Sequence, residues 1–290
     1  MRICPACGAS LGDATWDCPS CHALYSSDGS YVDLMGEQLV RDDYPQQIAG
    51  SAEKLALLED GHFWFEERAR LVASAADRFF PSARNLLDVG CGTGYVLGHI
   101  AKRRPGLEIS GGDVSGAALV EARQRLPSAL LYRMDIENIP FEAEFDVVCC
   151  LDVLEHVRDD LAALRNLHRA IRPSGGLLIT VPQYPWLWSG HDEQVCHVRR
   201  YGGSEILQRI SDSGFRISWT TGFVSLLLPA FVMSRRLRLA ARPGRRMREM
   251  IPPKALNGLF RGVMRFERRL IECGIRFPFG SSRLVVARRQ

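Results

Sequence analysis
No stretch of this 290-residue chain supplies the roughly 18 consecutive apolar residues of a membrane-spanning helix; the run Phe223–Met233 is short and broken by Pro229. A basic-then-apolar leader is also missing, since Met1-Arg-Ile-Cys runs directly into cysteines, and the chain reads as cytoplasmic. Acidic residues are scarce at the far end: residues 223–290 hold 16 Lys+Arg against 3 Asp+Glu, which leaves 21 against 30 in residues 1–222. The overall charge of +4 therefore conceals a basic, partner-facing C-terminal surface. Beyond the first 21 positions, cysteines lack metal-like spacing: Cys91, Cys149, Cys150, Cys196 and Cys273 stand without such pairing, and Cys149 and Cys150 read as buried strand residues.

What the chain does have is LLDVGCGTGYVLGHI, residues 86–100. Leu86, Leu87 and Val89 around Asp88 read as a buried parallel strand, and Gly90, Gly92 and Gly94 then allow a sharp turn with room for a ligand before a helix that starts near Tyr95. Strand, loop and helix N-terminus make a nucleotide-sized site at the carboxyl edge of a sheet. A dinucleotide fingerprint is excluded, because Tyr95 or Leu97 stands where the third glycine belongs. Asp88 repels a pyrophosphate but accepts hydrogen bonds from an amino group, so the ligand should carry an ammonium.

The stretch resembles the first motif of class I S-adenosylmethionine-dependent methyltransferases, of the type 11/12-like kind, with a ubiquinone-pathway O-methyltransferase-like core. The resemblance covers roughly residues 85–181. It implies that Asp113, closing the strand that holds Ile109-Ser-Gly-Gly, accepts both ribose hydroxyls, with Val114 beside it. It implies adenine contacts from Asp135 and Ile136, and a fourth strand, FDVVCCL, whose exit at Leu151 faces the sulfonium. The expected fold is α/β: a Rossmann-like seven-stranded class I methyltransferase sheet with an N-terminal zinc ribbon and a C-terminal helical insertion.

Composition, pattern and the resemblance together imply five segments: a zinc ribbon (1–35), a linker with N-terminal lid helices (36–80), the S-adenosylmethionine-binding core (81–222), a basic helical insertion (223–281), and a last strand with tail (282–290). In the ribbon, Cys4-x2-Cys7 and Cys18-x2-Cys21 place two thiolates on each of two tight turns, which completes a closed, structural tetrahedral zinc site. Disulfides or His22 as a substitute ligand are the alternatives. Ribbon and core are expected to fold around separate cores, so that metal removal leaves cofactor binding intact. The ribbon, with its Tyr31-Val-Asp-Leu ending, resembles that of certain ribosomal RNA guanine methyltransferases. Residues 36–52 read as a polar linker, and residues 52–80 as one or two amphipathic helices interrupted near Gly61. HFWF-x-x-R segments such as His62–Arg68 occur in bacterial members of the family. Phe63 and Trp64 can roof the adenosyl group and Arg68 can pair the methionine carboxylate; the alternative is helix-to-sheet packing.

Asp152, Glu155 and His156 stand at i, i+3 and i+4, where one helical turn would gather them for a divalent metal or a general base, or merely for capping. Pro173-Ser-Gly-Gly176 reads as the turn into the fifth strand. The loop that follows that strand leaves the carboxyl edge over the cofactor. There Trp186 and Trp188 can wall an acceptor, His191 and His197 can take its proton, and Arg199, Arg200 and Tyr201 can hold an anionic or hydroxylated group, unless the loop only anchors its own turns. The apolar run 223–233 beside seven arginines in Arg235–Arg248 suits an anionic membrane surface, here the inner face, or a lipid-linked acceptor. RNA would attract the same charges. The expected function is methylation, favouring oxygen, of a small-molecule or lipid-linked acceptor. Ribosomal RNA methylation is the alternative, weakened by Leu151-Asp-Val-Leu154 where many exocyclic-amine methylases carry Asn/Asp-Pro-Pro-Tyr/Phe. A non-catalytic cofactor-binding interaction module is the reading from another class.

Overall fold
The computed structural model describes residues 1–12, 16–35, 52–239 and 252–290. All of the predicted linker 36–52 except Ala52, and most of the arginine-rich segment, therefore lie outside the described residues.

Two short strands, β1 (Arg2–Ile3) and β2 (Ser10–Leu11), pair antiparallel around the first cysteine turn, and β3 (Val32–Asp33) leaves the ribbon. Helices α1 (Ala52–Glu59) and α2 (Phe63–Phe79) come next, parted by Gly61 at a φ of 80°. The alternating core runs β4 (Asn85–Val89), α3 (Tyr95–Arg103), β5 (Glu108–Asp113), α4 (Gly116–Arg125), β6 (Leu130–Arg133), β7 (Phe145–Leu151), α5 (Asp160–Ala170) and β8 (Ile171–Pro182). It ends with α6 (Gly190–Gln194), α7 (Glu205–Asp212), β9 (Phe215–Phe223), α8 (Leu228–Leu239), α9 (Lys254–Glu272) and β10 (Ser282–Arg289).

The main sheet has the order β3-β6-β5-β4-β7-β8-β10-β9, parallel except for β10, which runs antiparallel to both its neighbours. Helices cover both faces, so the central strands are mostly apolar: Leu86, Leu87, Val147–Cys150 and Leu177–Ile179 are all buried. Ser115 and Asp159 cap α4 and α5 by accepting from Ala118 N–H and Ala162 N–H.

The sheet has eight strands rather than the seven expected. The eighth is β3, which adds to the edge of β6 through Val32↔Tyr132 and Asp33↔Arg133. Pro173–Gly176 is not a separate turn, because β8 begins at Ile171 and bulges through these residues before its register with β7 resumes at Val147↔Gly176.

The separate ribbon core is also corrected. Cys4, Leu11, Trp16, Cys18 and Leu34 belong to the same buried cluster as Leu87, Val89, Tyr132, Phe141 and Val148 of the sheet. Trp16 meets Tyr132 and Phe141 edge-on at 5.6 and 5.7 Å. So short a segment has too few apolar side chains to enclose a core and instead covers a sheet face.

The apolar run 223–233 is largely consumed inside the fold: Phe223, Val224 and Leu227 are buried, while Leu226 and Met233 are exposed. Part of the C-terminal positive charge also turns inward, as α9 lies along α2 with Arg268 on Glu67 (2.8 Å) and Arg261 on Glu66 (3.0 Å). Among the described residues, no helix is long and apolar enough to cross a membrane.

Candidate functional site
Strands β4, β5, β6 and β7 all end at one edge of the sheet, and the glycine loop lies there. Gly90, Gly92 and Gly94 have φ of 80°, 54° and 73°, a region that side chains disfavour. At Gly90 space forbids one as well, since a Cβ would stand 2.2 Å from Val153 Cγ2. The N–H groups of Gly90 and Cys91 donate to the Gly112 carbonyl (2.7 and 3.0 Å), which ties the loop to β5. Asp113 accepts from Gly92 N–H through one carboxylate oxygen and from Ser115 N–H through the other, both at 2.8 Å.

Asp88 is buried, and its Oδ1 has no hydrogen-bond partner among the described residues. Burial first, and then repulsion from Asp113, push its carboxyl up to about 7 against the pull of Arg68. Arg68, reaching in from α2, pairs with Asp152 at 2.5 Å, lies over the Trp64 ring at 5.0 Å, and keeps an Nε–H without an acceptor. An unmet carboxylate oxygen and an unmet guanidinium N–H thus flank the loop. An α-amino acid would satisfy both, its ammonium on Asp88 and its carboxylate on Arg68, so the residues fit the methionine end of S-adenosylmethionine. Asp135 accepts from Glu137 N–H (2.9 Å) at the start of a turn in which Ile136 is buried, and the Val114 carbonyl accepts from Arg133 Nε (3.2 Å). Leu151 is buried at the end of β7.

The lid arrangement differs in part from the sequence reading. Phe63 packs on Phe260 of α9 with ring centroids 5.3 Å apart, turned toward that helix. A tie that sequence reasoning missed holds α1 to the loop: buried Glu59 accepts from the Thr93 hydroxyl and from Arg125, both at 2.6 Å. The only sequence signal was Thr93's position between two of the loop glycines.

Asp152, Glu155 and His156 do not share one helical turn. Asp152 leaves the strand at a φ of 56° toward Arg68, and only afterwards does the chain enter a 3-10 turn, Leu154–His156. The structure instead gathers Glu155, His156 and His197, whose candidate ligand atoms lie within 4.8 Å of one another. Glu155 is wholly buried with neither oxygen hydrogen-bonded among the described residues, and burial drives its carboxyl far above the usual range. His156 is pushed down to about 4, chiefly by burial and then by His197. The His197 ring meets Asp192 Oδ1 through Nδ1 at 2.9 Å, while Nε2 stands 3.8 Å from Glu155. Asp192 also closes a capping box with Ser189 and pairs with Arg200 at 2.6 Å; despite its burial, these partners hold its carboxyl well below the ordinary range.

Of the predicted acceptor residues, Trp186 and Trp188 are exposed and His191 lies half-buried on α6. Arg199, Arg200 and Tyr201 face inward. Arg199 binds Asp160 (3.0 Å), Arg200 donates to the Gln183 carbonyl (3.1 Å), and the fully buried Tyr201 hydroxyl donates to Asp160 (2.8 Å). In this arrangement they fasten the loop instead of presenting groups to an acceptor.

At the ribbon, Cys4, Cys7, Cys18 and Cys21 bring four sulfurs within 4.8 Å of one another, with Cys4–Cys21 and Cys7–Cys18 each at 3.6 Å. A tetrahedral ion with Zn–S bonds of about 2.3 Å sets sulfurs about 3.8 Å apart, so the donor set fits zinc. Burial opposes ionisation of Cys4, yet hydrogen bonds from the Tyr25 hydroxyl and nearby backbone bring it down to about 6. His22 is exposed and does not join the four sulfurs.

Residues 87–178 match the family described as a methyltransferase domain. The match covers 92 of the chain's 290 residues, from β4 into β8. A protein of Mycolicibacterium smegmatis named probable S-adenosylmethionine-dependent methyltransferase is 26% identical to the chain, over 57% of this chain and 64% of that protein. A ubiquinone biosynthesis O-methyltransferase of Pseudomonas paraeruginosa is 36% identical over 40% of this chain and 48% of its own length. The chain thus spans about half to two thirds of these relatives. In fold, residues 87–178 and their surroundings are similar to a chain in a complex between the Haloferax volcanii Trm112 methyltransferase activator and a methyltransferase. That match has a TM-score of 0.54 and 19% identity, and covers 83% of this chain and 96% of that one.

Proposed function
We propose that the chain transfers a methyl group from S-adenosylmethionine to an oxygen of a small-molecule or lipid-linked acceptor. The observation that carries this reading is the pair of unmet groups at the glycine loop, Asp88 Oδ1 and Arg68 Nε. When bound, the cofactor supplies an electrophilic methyl on a sulfonium. Asp88 and Arg68 take the two ends of its amino acid. Asp113 spends one lone pair of each oxygen on the loop and keeps the other for a ribose hydroxyl, while Asp135 and Ile136 take the adenine's polar edge and apolar face. Together these contacts fix the approach angle that a displacement requires.

Oxygen as the accepting atom is supported by the histidines. Asp192 holds Nδ1 of His197, which leaves Nε2 to accept a proton, and His156 beside it, with ring centroids 4.8 Å apart, is held neutral at physiological pH. The Pseudomonas relative's name points the same way. Zinc, held by Cys4, Cys7, Cys18 and Cys21, is structural, because four sulfurs leave it no open position. A lipid-linked acceptor would bring the chain to an anionic membrane face, where exposed Leu259 and Phe266 of α9 can lie.

The test is incubation of purified chain with methyl-labelled cofactor and a cell extract that is then split into RNA, protein, lipid and small-molecule fractions. Label is expected in the lipid or small-molecule fraction. Label in RNA would overturn the acceptor class, and label in no fraction would leave only the non-catalytic binding module.

A further inference from the structure
We infer that the four-cysteine ribbon positions the adenosine end of the cofactor site, so that metal and cofactor bind with positive coupling. This rests on the cofactor reading above. Two loops make that end of the site, Asp113–Ser115 after β5 and Asp135–Asn138 after β6, and each is braced by the ribbon.

The first brace starts inside a cysteine turn. Pro5, between Cys4 and Cys7, offers its carbonyl to Asn138 Nδ2 (3.2 Å), and Ile3 N–H donates to the Pro140 carbonyl (3.0 Å). Asn138 ends the turn that carries Asp135 and Ile136. The second brace is the ribbon's exit. Asp33 pairs with Arg133 (2.9 Å), and the same guanidinium donates through Nε to the Val114 carbonyl, one residue beyond Asp113. Tyr31 packs so closely on the start of α4 that a Cβ at Gly116 would lie 2.5 Å from its hydroxyl.

The loop after β6 is held from the opposite side by Asn166, whose Nδ2 donates to the Ile136 and Glu137 carbonyls, so the ribbon closes a clamp. With strands β1 and β2 of two residues each and its apolar residues shared with the sheet, the ribbon has no core of its own to fix its cysteine turns. Metal that fixes the four sulfurs fixes Pro5 and the Tyr31–Asp33 exit with them, and linkage requires the reverse: cofactor that orders the two loops must tighten the metal by the same factor.

The experiment uses the full chain, zinc-loaded or stripped by a chelator under reduction, with S-adenosylhomocysteine titrated by calorimetry and folding followed by circular dichroism. Stripping is expected to weaken the analogue roughly tenfold, and saturating analogue to raise the zinc affinity measured by equilibrium competition with the chelator by a similar factor. Because stripping can loosen the whole ribbon, Asp33→Ala and Asn138→Ala test the braces with the cysteines intact. Each should keep its zinc and melting temperature near the parent's while binding the analogue several-fold more weakly. A purely structural ribbon would instead lower the melting temperature with analogue affinity unmoved, and that result would overturn the inference. Zinc-loaded parent chain that binds no analogue would bring down the cofactor reading itself.

Discussion
Asp88→Asn separates what the site needs from what the fold tolerates. Asp88 ionises near 7 in the folded chain instead of at its ordinary 3.8, because burial strips water from the carboxylate and Asp113 repels it. A carboxyl raised in this way makes the folded chain bind more protons than the unfolded chain between those two values. Its stabilising contribution is therefore complete below about pH 4 and is lost as pH rises through 7. At about 1.36 kcal/mol per pH unit, the charged carboxylate costs the folded chain roughly 4 kcal/mol at pH 8. Asparagine removes the charge but leaves a buried amide to satisfy, at about 1–3 kcal/mol. The variant should consequently be more stable than the parent by about 1–3 kcal/mol in urea melts at pH 8, and most of that advantage should vanish at pH 4.5. The same variant should fail to bind S-adenosylmethionine, since no anion remains for the ammonium. An equal effect at both pH values, or a variant weaker at pH 8, would refute the argument that an unpaired buried carboxylate is held there at the expense of stability.

Asp113→Ala removes the ribose acceptor and should weaken cofactor binding by about 1.5–3 kcal/mol in calorimetry, the range for hydrogen bonds to a charged group. Once an acceptor is known, His197→Ala should lower turnover by roughly 10²–10⁴-fold with cofactor affinity nearly intact; unchanged turnover would remove it as the base. Metal analysis of freshly reduced chain should find about one zinc per molecule, and Cys18→Ser should lose most of it.

The glycine loop was legible because its geometry is local. Asp88, the three glycines and the acids closing the next two strands are all set by strand ends and short turns, and the structure delivers them to one edge. The acceptor loop was not, because Arg199, Arg200 and Tyr201 look identical in sequence whether they face solvent or a buried acid. Asp160 and Asp192 are the acids that capture them, the one on a helix well upstream and the other within the loop itself. The same blindness to long-range pairing hid the ribbon's attachment. Val32 and Asp33 are too few to register as a strand until β6 presents an open edge, and no local pattern pairs Trp16 with Tyr132 and Phe141. Asp152 was misplaced for a backbone reason, since it leaves the strand in a left-handed conformation, before the 3-10 turn starts, and pairs with Arg68.

The most direct test of the central claim is equilibrium binding of methyl-labelled S-adenosylmethionine to the zinc-loaded chain at pH 8, displaced by S-adenosylhomocysteine. Saturation at one ligand per chain is predicted, with affinity falling up to about tenfold per pH unit below pH 7 as Asp88 takes up a proton. A folded chain that shows no saturable, displaceable binding would contradict the account.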